Sequence, residues 1–321
     1  METTQIPDAS CSWLRRTKER TSPRNRFVGA LAAGGLIGAT LFVGSTPAQA
    51  VNTGVSVEGT VLRVAASPGK SNSITVYPST HDGKAYYTIT DTGDSMIAGN
   101  KCVKVTSFNI RCQSAGVQSV WIETGDRNDT VSMDSMSLPT GVVAGSGSDL
   151  VFGGSNKDVV YGQQGNDTLH GQAGNDVVDG GAGEDRLTGG SGNDYLDGGA
   201  DKDHLQGNSG NDSIFGRMGN DVMYGQGGND TMHGNEGDDI LDGGSGDDAL
   251  YGNAGKDALS DRLGGKDRLF GGTDNDVLDG VDDVPFNDYL NGEQGRDDCR
   301  ADGGDNVVNC EVKKITKIKA S

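Results

Sequence analysis

Histidine, aromatic rings, proline and basic side chains are all scarce in this chain. Its four histidines (His81, His170, His204, His233) are scattered and form no His-Glu-x-x-His, which excludes the zinc-protease pairing of imidazoles one helical turn apart. No serine has glycine at both −2 and +2, so the strained nucleophile elbow is missing. His81 and Asp82 with a nearby serine suggest a catalytic set only superficially, because Thr-His-Asp-Gly is β-turn chemistry. Aromatic residues, at 5%, are too few to claim a carbohydrate-binding platform. Basic residues number 27 against 46 acidic ones, a balance that disfavours nucleic acid and anionic membranes and favours cations. Only 33% of the chain is apolar, and no helix-length amphipathic pattern follows residue 50. Excess acid with little apolar content usually reads as disorder.

What argues against disorder is the arrangement of the 53 glycines. From Ala144 to Ser260 the chain is thirteen copies of a nine-residue unit without insertion or deletion, of which Gly162-Gln163-Gln164-Gly165-Asn166-Asp167-Thr168-Leu169-His170 is typical. Position 1 is Gly in all but the first copy, position 6 is always Asp, and position 8 is always large and apolar, from Val151 to Leu259. Such strict periodicity sets a repeat fold. A longer period is also present. Phe152, Tyr161, His170 and Asp179 recur as Phe215, Tyr224, His233 and Asp242, offset by seven units. Seven is odd, so the copies face opposite sides of a two-unit coil, and His170 and His233 are not expected to form one organised site.

The first fifty residues are predicted to be a targeting segment. A basic stretch (Arg15 to Arg26) precedes an apolar run from Phe27 to Gly44, and Ala48-Gln49-Ala50 is a small-x-small cleavage signal. A permanent anchor is the competing reading, disfavoured by the five glycines in the run. Cleavage after Ala50 makes the protein secreted and extracellular, with no membrane span in the mature chain. It leaves 21 basic against 43 acidic residues and four cysteines, since Cys11 is lost. An even number in an exported chain suggests two disulfides, most simply Cys102–Cys112 and Cys299–Cys310.

Residues 51–143 read as an N-terminal β-rich module, with alternating β-branched runs at 55–64, 73–77 and 85–90 separated by turns such as Asp82-Gly83. Cys102 and Cys112 flank two short runs and suggest a clamped hairpin. Thr124 to Val131 already carries the Asn-Asp-x-apolar ending, so a degenerate coil is expected to begin near Val120. The array is assigned to 144–309 and a basic tail to 310–321. Beyond Ser260 the period persists with faults. Asp261 is one extra residue before Asp267 and Leu269. Asp276 and Leu278 keep the register. Three more residues, Gly280 to Asp282, precede Asp288 and Leu290. Asp297 is followed by Cys299, and Asn306 by Val308. Atypical terminal units are expected where an open end must be closed, and a disulfide closing about a dozen residues stabilises such a cap by about 3 kcal/mol.

Each unit reads as a six-residue loop and a three-residue strand with one inward side chain, at position 8. Two units make an eighteen-residue coil, and coils stacked at about 4.8 Å give thirteen units a rod about 30 Å long. Position 4 is Gly in eleven copies and otherwise Asn156 or Asp201, the residue types that accept positive φ. Stacking puts Asp149, Asp167, Asp185, Asp203, Asp221, Asp239 and Asp257 on one edge. Asp158, Asp176, Asp194, Asp212, Asp230 and Asp248 fall on the other. Unit charges about 5 Å apart repel by about 1 kcal/mol even in water. Carboxylates and loop carbonyls without matching His or Cys form a hard oxygen site, which suits calcium better than zinc or magnesium. One buried side chain per nine ordered residues cannot hold the array alone, so the repeats are expected to fold when multiple calcium ions bind. Merely solvated turns would also need Asn, Asp and Gly, but not Asp at one fixed position.

At these residues the chain resembles the RTX, or haemolysin-type, calcium-binding family. The resemblance implies an all-β fold, a parallel β-roll with calcium between neighbouring loops of one edge. The family's Asp ligand maps onto the thirteen aspartates above and onto Asp267 and Asp276, while Asp288 and Asp297 match only the Asp. RTX toxins and proteases usually carry an uncleaved C-terminal export signal. The N-terminal signal, small β-module and Cys-capped end here look instead like the secreted calcium-binding proteins of actinobacteria. The expected function is therefore that of a secreted, non-enzymatic calcium-binding protein. An adhesin or matrix component contacting a partner through 51–143 is the alternative, and a hydrolase with an unrecognised N-terminal catalytic module the third reading.

Overall fold

A nine-residue period sends successive units to opposite faces. In the computed structural model, which describes residues 52–282 and 288–316 (the last five by their backbone only), this produces two long sheets. The expected targeting segment and its cleavage site lie outside the described residues, as do Lys317 and Lys319. Consecutive strands from Ser119–Asp126 onward alternate between a 14-stranded and a 15-stranded sheet. Each pairs in parallel with its neighbours in the same sheet, apart from the edge strands Asn306–Val308 and Val312–Thr316, which have one partner each. No helix occurs among the described residues.

Position 8 forms the core. Val160, Val178, Leu196 and Ile214 stand in register in one sheet, and Leu169, Leu187, Leu205 and Met223 in the other. All are at most 1% exposed. The strands run six residues, as in Val159–Gln164 and Thr168–Ala173, twice the expected length. Positions 1 to 3 continue the ladder although glycine and polar residues have little strand propensity. The neighbouring coil supplies the pairing that local preference does not. Only positions 4 to 6 remain as a turn.

The described residues ahead of the first coil, from Asn52 on, continue its two sheets. The two antiparallel hairpins Thr53–Glu58/Val61–Ala65 and Ser73–His81/Lys84–Asp91 each lay one strand in parallel on the first coil, Val61–Ala65 on Ser119–Asp126 and Ser73–His81 on Thr130–Ser132. The boundary expected at 143 thus falls inside the strand Thr140–Ser146, and the coil begins near Val120, as the Asn-Asp-x-apolar signal suggests. Asp82 and Gly83, with φ of 49° and 71°, make the tight turn of the second hairpin. Cys102 and Cys112 face each other across the hairpin Cys102–Thr106/Asn109–Gln113 and are bonded.

At the other end Cys299 occupies the apolar column beside Leu278 and is bonded to Cys310. Two expectations there are corrected. Val307, not Val308, pairs with Leu290, and Asp305, not Asn306, takes the aspartate place beside Asp288. The last coil is one residue shorter because Gly303-Gly304 turn tightly before it. The expected basic tail contributes the strand Val312–Thr316, which pairs in parallel with Asp298–Asp302.

As expected, His170 and His233 lie on opposite sheets. What the sequence does not announce is that each sheet stacks rings of its own. Phe152 stacks on His170, and Phe215, His233, Tyr251 and Phe270 stack in succession at centroid distances of 4.5–5.2 Å. Residues eighteen apart are direct lateral neighbours, which brings together rings that look isolated in the sequence.

Candidate metal centre

The aspartates at position 6 are buried, not solvated. Asp149 through Asp257, together with Asp267, Asp276, Asp288 and Asp297, are at most 3% exposed. Each uses Oδ1 as a staple. The Asp149 N–H donates to Asp167 Oδ1 at 2.8 Å, the Asp167 N–H to Asp185 Oδ1 at 2.7 Å, and the Asp185 N–H to Asp203 Oδ1 at 2.8 Å. On the first edge this ladder runs from the Asn72 N–H through Asp129 and Asp149 to Asp297. On the second it runs from Thr140 through Asp158, Asp176 and Asp248 to Asp267, Asp288 and Asp305. Both columns therefore form as expected, with Asp267, Asp276, Asp288 and Asp297 continuing them. Asp129 was recognisable only as part of a degenerate unit.

The preceding residue staples the other way. Asn175 Oδ1 accepts the N–H of Asn193, and Asn193 Oδ1 that of Asn211. Position 5 carries no role in the sequence reading, although its repeated Asn is the available signal.

The second carboxylate oxygen is what distinguishes the site. Oδ2 of Asp129, Asp149, Asp167, Asp176, Asp185, Asp194, Asp203, Asp212, Asp221, Asp230, Asp239, Asp248 and Asp257 is buried without a hydrogen-bond donor, as is Oδ2 of Asp267, Asp276, Asp288 and Asp297. A buried anionic acceptor left unpaired is costly. In the loops that begin with Gly162 through Gly252, and again at Gly271 and Gly292, this oxygen lies beside the first glycine, where a Cβ would stand. A Cβ on Gly162 would stand 2.3 Å from Asp167 Oδ2 and 2.6 Å from the carbonyl oxygen of Gly180 in the next coil. The same space recurs at Gly216, between Asp221 Oδ2 and Gly234 O at 2.3 and 2.9 Å. Position 1 is glycine because a side chain would fill this cradle of carboxylate and carbonyl oxygens. Hard oxygen donors with unspent negative charge fit a calcium ion.

Electrostatics agree. Burial pushes Asp203 up to about 8, with the Asp185 N–H lowering it and the Asp185 and Asp221 carboxylates raising it further. Burial likewise pushes Asp167, Asp176, Asp185, Asp230 and Asp257 up to about 7.

Loop geometry departs from expectation in two respects. Position 4 has positive φ as predicted at Asp201 (76°), but Asn156 does not adopt it. Position 2 adopts it too, including Gln163, Arg217 and Asn253 at 77–81°. These residue types do not announce a left-handed backbone. In loop 153–158 the Gly154 N–H donates to Asp158 Oδ2 at 2.6 Å. Asp158 therefore has both oxygens satisfied by the protein, unlike the other predicted aspartates. Calorimetry should show Asp158→Asn binding as much calcium as the parent chain, whereas Asp176→Asn loses about one equivalent. Equal losses would refute the distinction.

A parallel β-solenoid whose edges carry two ladders of buried, half-paired carboxylates is a cation-binding β-roll. The profile of the RTX calcium-binding nonapeptide repeat matches residues 142–169, 161–196, 170–205, 197–232, 224–259, 263–282 and 285–308, about half of the chain. The chain belongs to that family, and its repeats bind calcium. No curated protein matches it.

Proposed function

We propose that the protein is a secreted calcium-binding protein whose roll is completed by calcium outside the cell, with Asp149, Asp167, Asp176 and their successors through Asp276 as ligands. Asp129, Asp288 and Asp297 join them. The observation that carries this reading is the buried, donorless Oδ2 repeated in loop after loop. Each calcium would be held by such an oxygen and by carbonyl oxygens of the adjoining coil, cancelling charge that burial makes costly. Export supports the same reading, since calcium is plentiful outside the cell and the basic-apolar-AQA segment at residues 15–50 has the form of an export signal. Calorimetric titration of the full chain with calcium is the test. Binding of roughly ten or more ions with a matching gain of β signal is expected, and a handful of weak sites would overturn it.

A second reading, adhesion through the N-terminal module, is favoured by Ile97, Val103, Val105 and Phe108, which are 44–66% exposed. They sit on the strands Met96–Ala98 and Cys102–Thr106 and in the turn that follows. Exposed apolar clusters mark contact surfaces. If V103D/F108D abolishes retention of the full chain on cells while calcium binding persists, this second reading is correct.

A further inference from the structure

The loop of residues 261–267 departs from the pattern by gaining a carboxylate. It is one residue longer than a regular loop and begins with Asp261, where the preceding loops from Gly153 onward begin with glycine. In a regular loop that position admits no side chain, as a Cβ on Gly252 would lie 2.3 Å from Asp257 Oδ2. The extra residue makes room, and Asp261 turns its carboxylate toward the coil before. A Cβ on Gly243 would meet Asp261 Oδ2 at 2.2 Å and Asp248 Oδ2 at 2.7 Å. At the equivalent place in the preceding coil on this edge, the cradle over Gly225 is bordered by one carboxylate and by the Gly243 carbonyl oxygen, 2.5 Å from the Cβ position.

Asp248, Asp261 and Asp267 bring carboxylate oxygens within 4.8 Å of one another. All three residues are at most 1% exposed. Neither oxygen of Asp261 has a donor, and neither does Oδ2 of Asp248 or Asp267. Of the basic residues beside them in the chain, Arg262 pairs with Asp279, and Lys266 and Arg268, which flank Asp267, form no ion pair with the three. Among the described residues no ion pair reaches the three carboxylates. Their backbone is held firmly, with the Asp261 N–H donating to Asp279 O at 2.9 Å and the Asp248 N–H to Asp267 Oδ1 at 2.9 Å. Asp261 also falls between the matched segments 224–259 and 263–282, so it is no part of the repeat pattern.

We propose that Asp248, Asp261 and Asp267 form a three-carboxylate calcium site, the tightest in the protein, in which the lengthened loop adds Asp261 to the aspartates of two stacked loops. The proposal rests on the reading that the regular loops bind calcium through one carboxylate and neighbouring carbonyls. Ligand charge and rigidity set calcium affinity, and this site has more of the first at no loss of the second. Asp267 also brings a carboxylate oxygen within 4.8 Å of those of Asp282 and Asp288, which adds to the negative charge around the site.

The test is a calcium titration of the full chain against a competing chelator, with bound ions counted by native mass spectrometry. One ion is expected to bind at least about tenfold more tightly than the rest. Asp261→Asn should lose that ion and keep the others, while Arg262→Ala, in the same loop, keeps all of them. If D261N does not reach the β-roll in saturating calcium, Asp261→Gly, which restores the glycine of the repeat, gives the same reading. Superimposable isotherms for the parent chain and the folded Asp261 variants would overturn the proposal. A parent chain that binds a single tight ion, lost in D261N, would uphold the site and overturn calcium binding by the regular loops.

Discussion

In excess chelator at pH 8 the full chain loses most of its β circular dichroism, and calcium restores it. The cause is the row of buried carboxylates, whose neutral forms burial favours so strongly that Asp203 titrates at about 8 and Asp185 and Asp230 at about 7. Their values in the unfolded chain lie near 3.8. Between these limits the folded state binds more protons than the unfolded one, so stability without calcium falls as pH rises from about 4 to about 8. Acid should therefore replace the metal. Chelated protein brought from pH 8 to pH 4.5 is expected to regain β signal, whereas calcium affinity rises with pH because the ligands must be ionised. A β signal that is independent of both chelator and pH would contradict this account.

Gly192→Ala is expected to break the array where it stands. The added Cβ would lie 1.5 Å from the carbonyl oxygen of Gly174, at a φ of +124° that side chains rarely adopt. A backbone oxygen in a stacked coil cannot step aside, so the coils must part. A loss of about 4 kcal/mol or more in the presence of calcium is the scale for such a clash combined with backbone strain. Hydrogen exchange should show the damage centred on the coils around residues 174 and 192, with the hairpin-anchored N-terminal strands still protected. Gln163→Gly provides the contrast. Gln163 carries a φ of 79° at position 2, inside the strand Val159–Gln164, and glycine there relieves strain worth up to about 1 kcal/mol. If the two substitutions have equal effects, coil stacking is not what position 4 protects.

Much of this organisation is legible in the residues. Invariant Asp at position 6 and an apolar residue at position 8 are enough to place two edges and two facing columns, because a period of nine with an eighteen-residue coil allows few arrangements. The features that escape sequence reading are set by the neighbouring coil. Positions 1 to 3 join the strands through pairing eighteen residues away, and Gln163 and Arg217 accept left-handed backbone because the stack demands it. Asp158 fills position 6 just as Asp176 does. Only the shape of its own loop, with the Gly154 N–H turned inward, shows that its second oxygen is already occupied. Likewise Asp305 rather than Asn306 takes the last aspartate place because the Gly303-Gly304 turn shortens that coil, a shift of one residue that composition cannot reveal.

A stack of parallel strands is, in principle, a polymer without a natural length. Each coil is a template for the next, and an uncovered terminal coil would accept one from another molecule. The two N-terminal hairpins end the growth on one side by reversing strand direction, since Lys84–Asp91 runs antiparallel to Ser73–His81 and Thr53–Glu58 to Val61–Ala65. On the other side the Cys299–Cys310 bond ties the last coil down. These two ends make the solenoid a molecule of defined size instead of a filament.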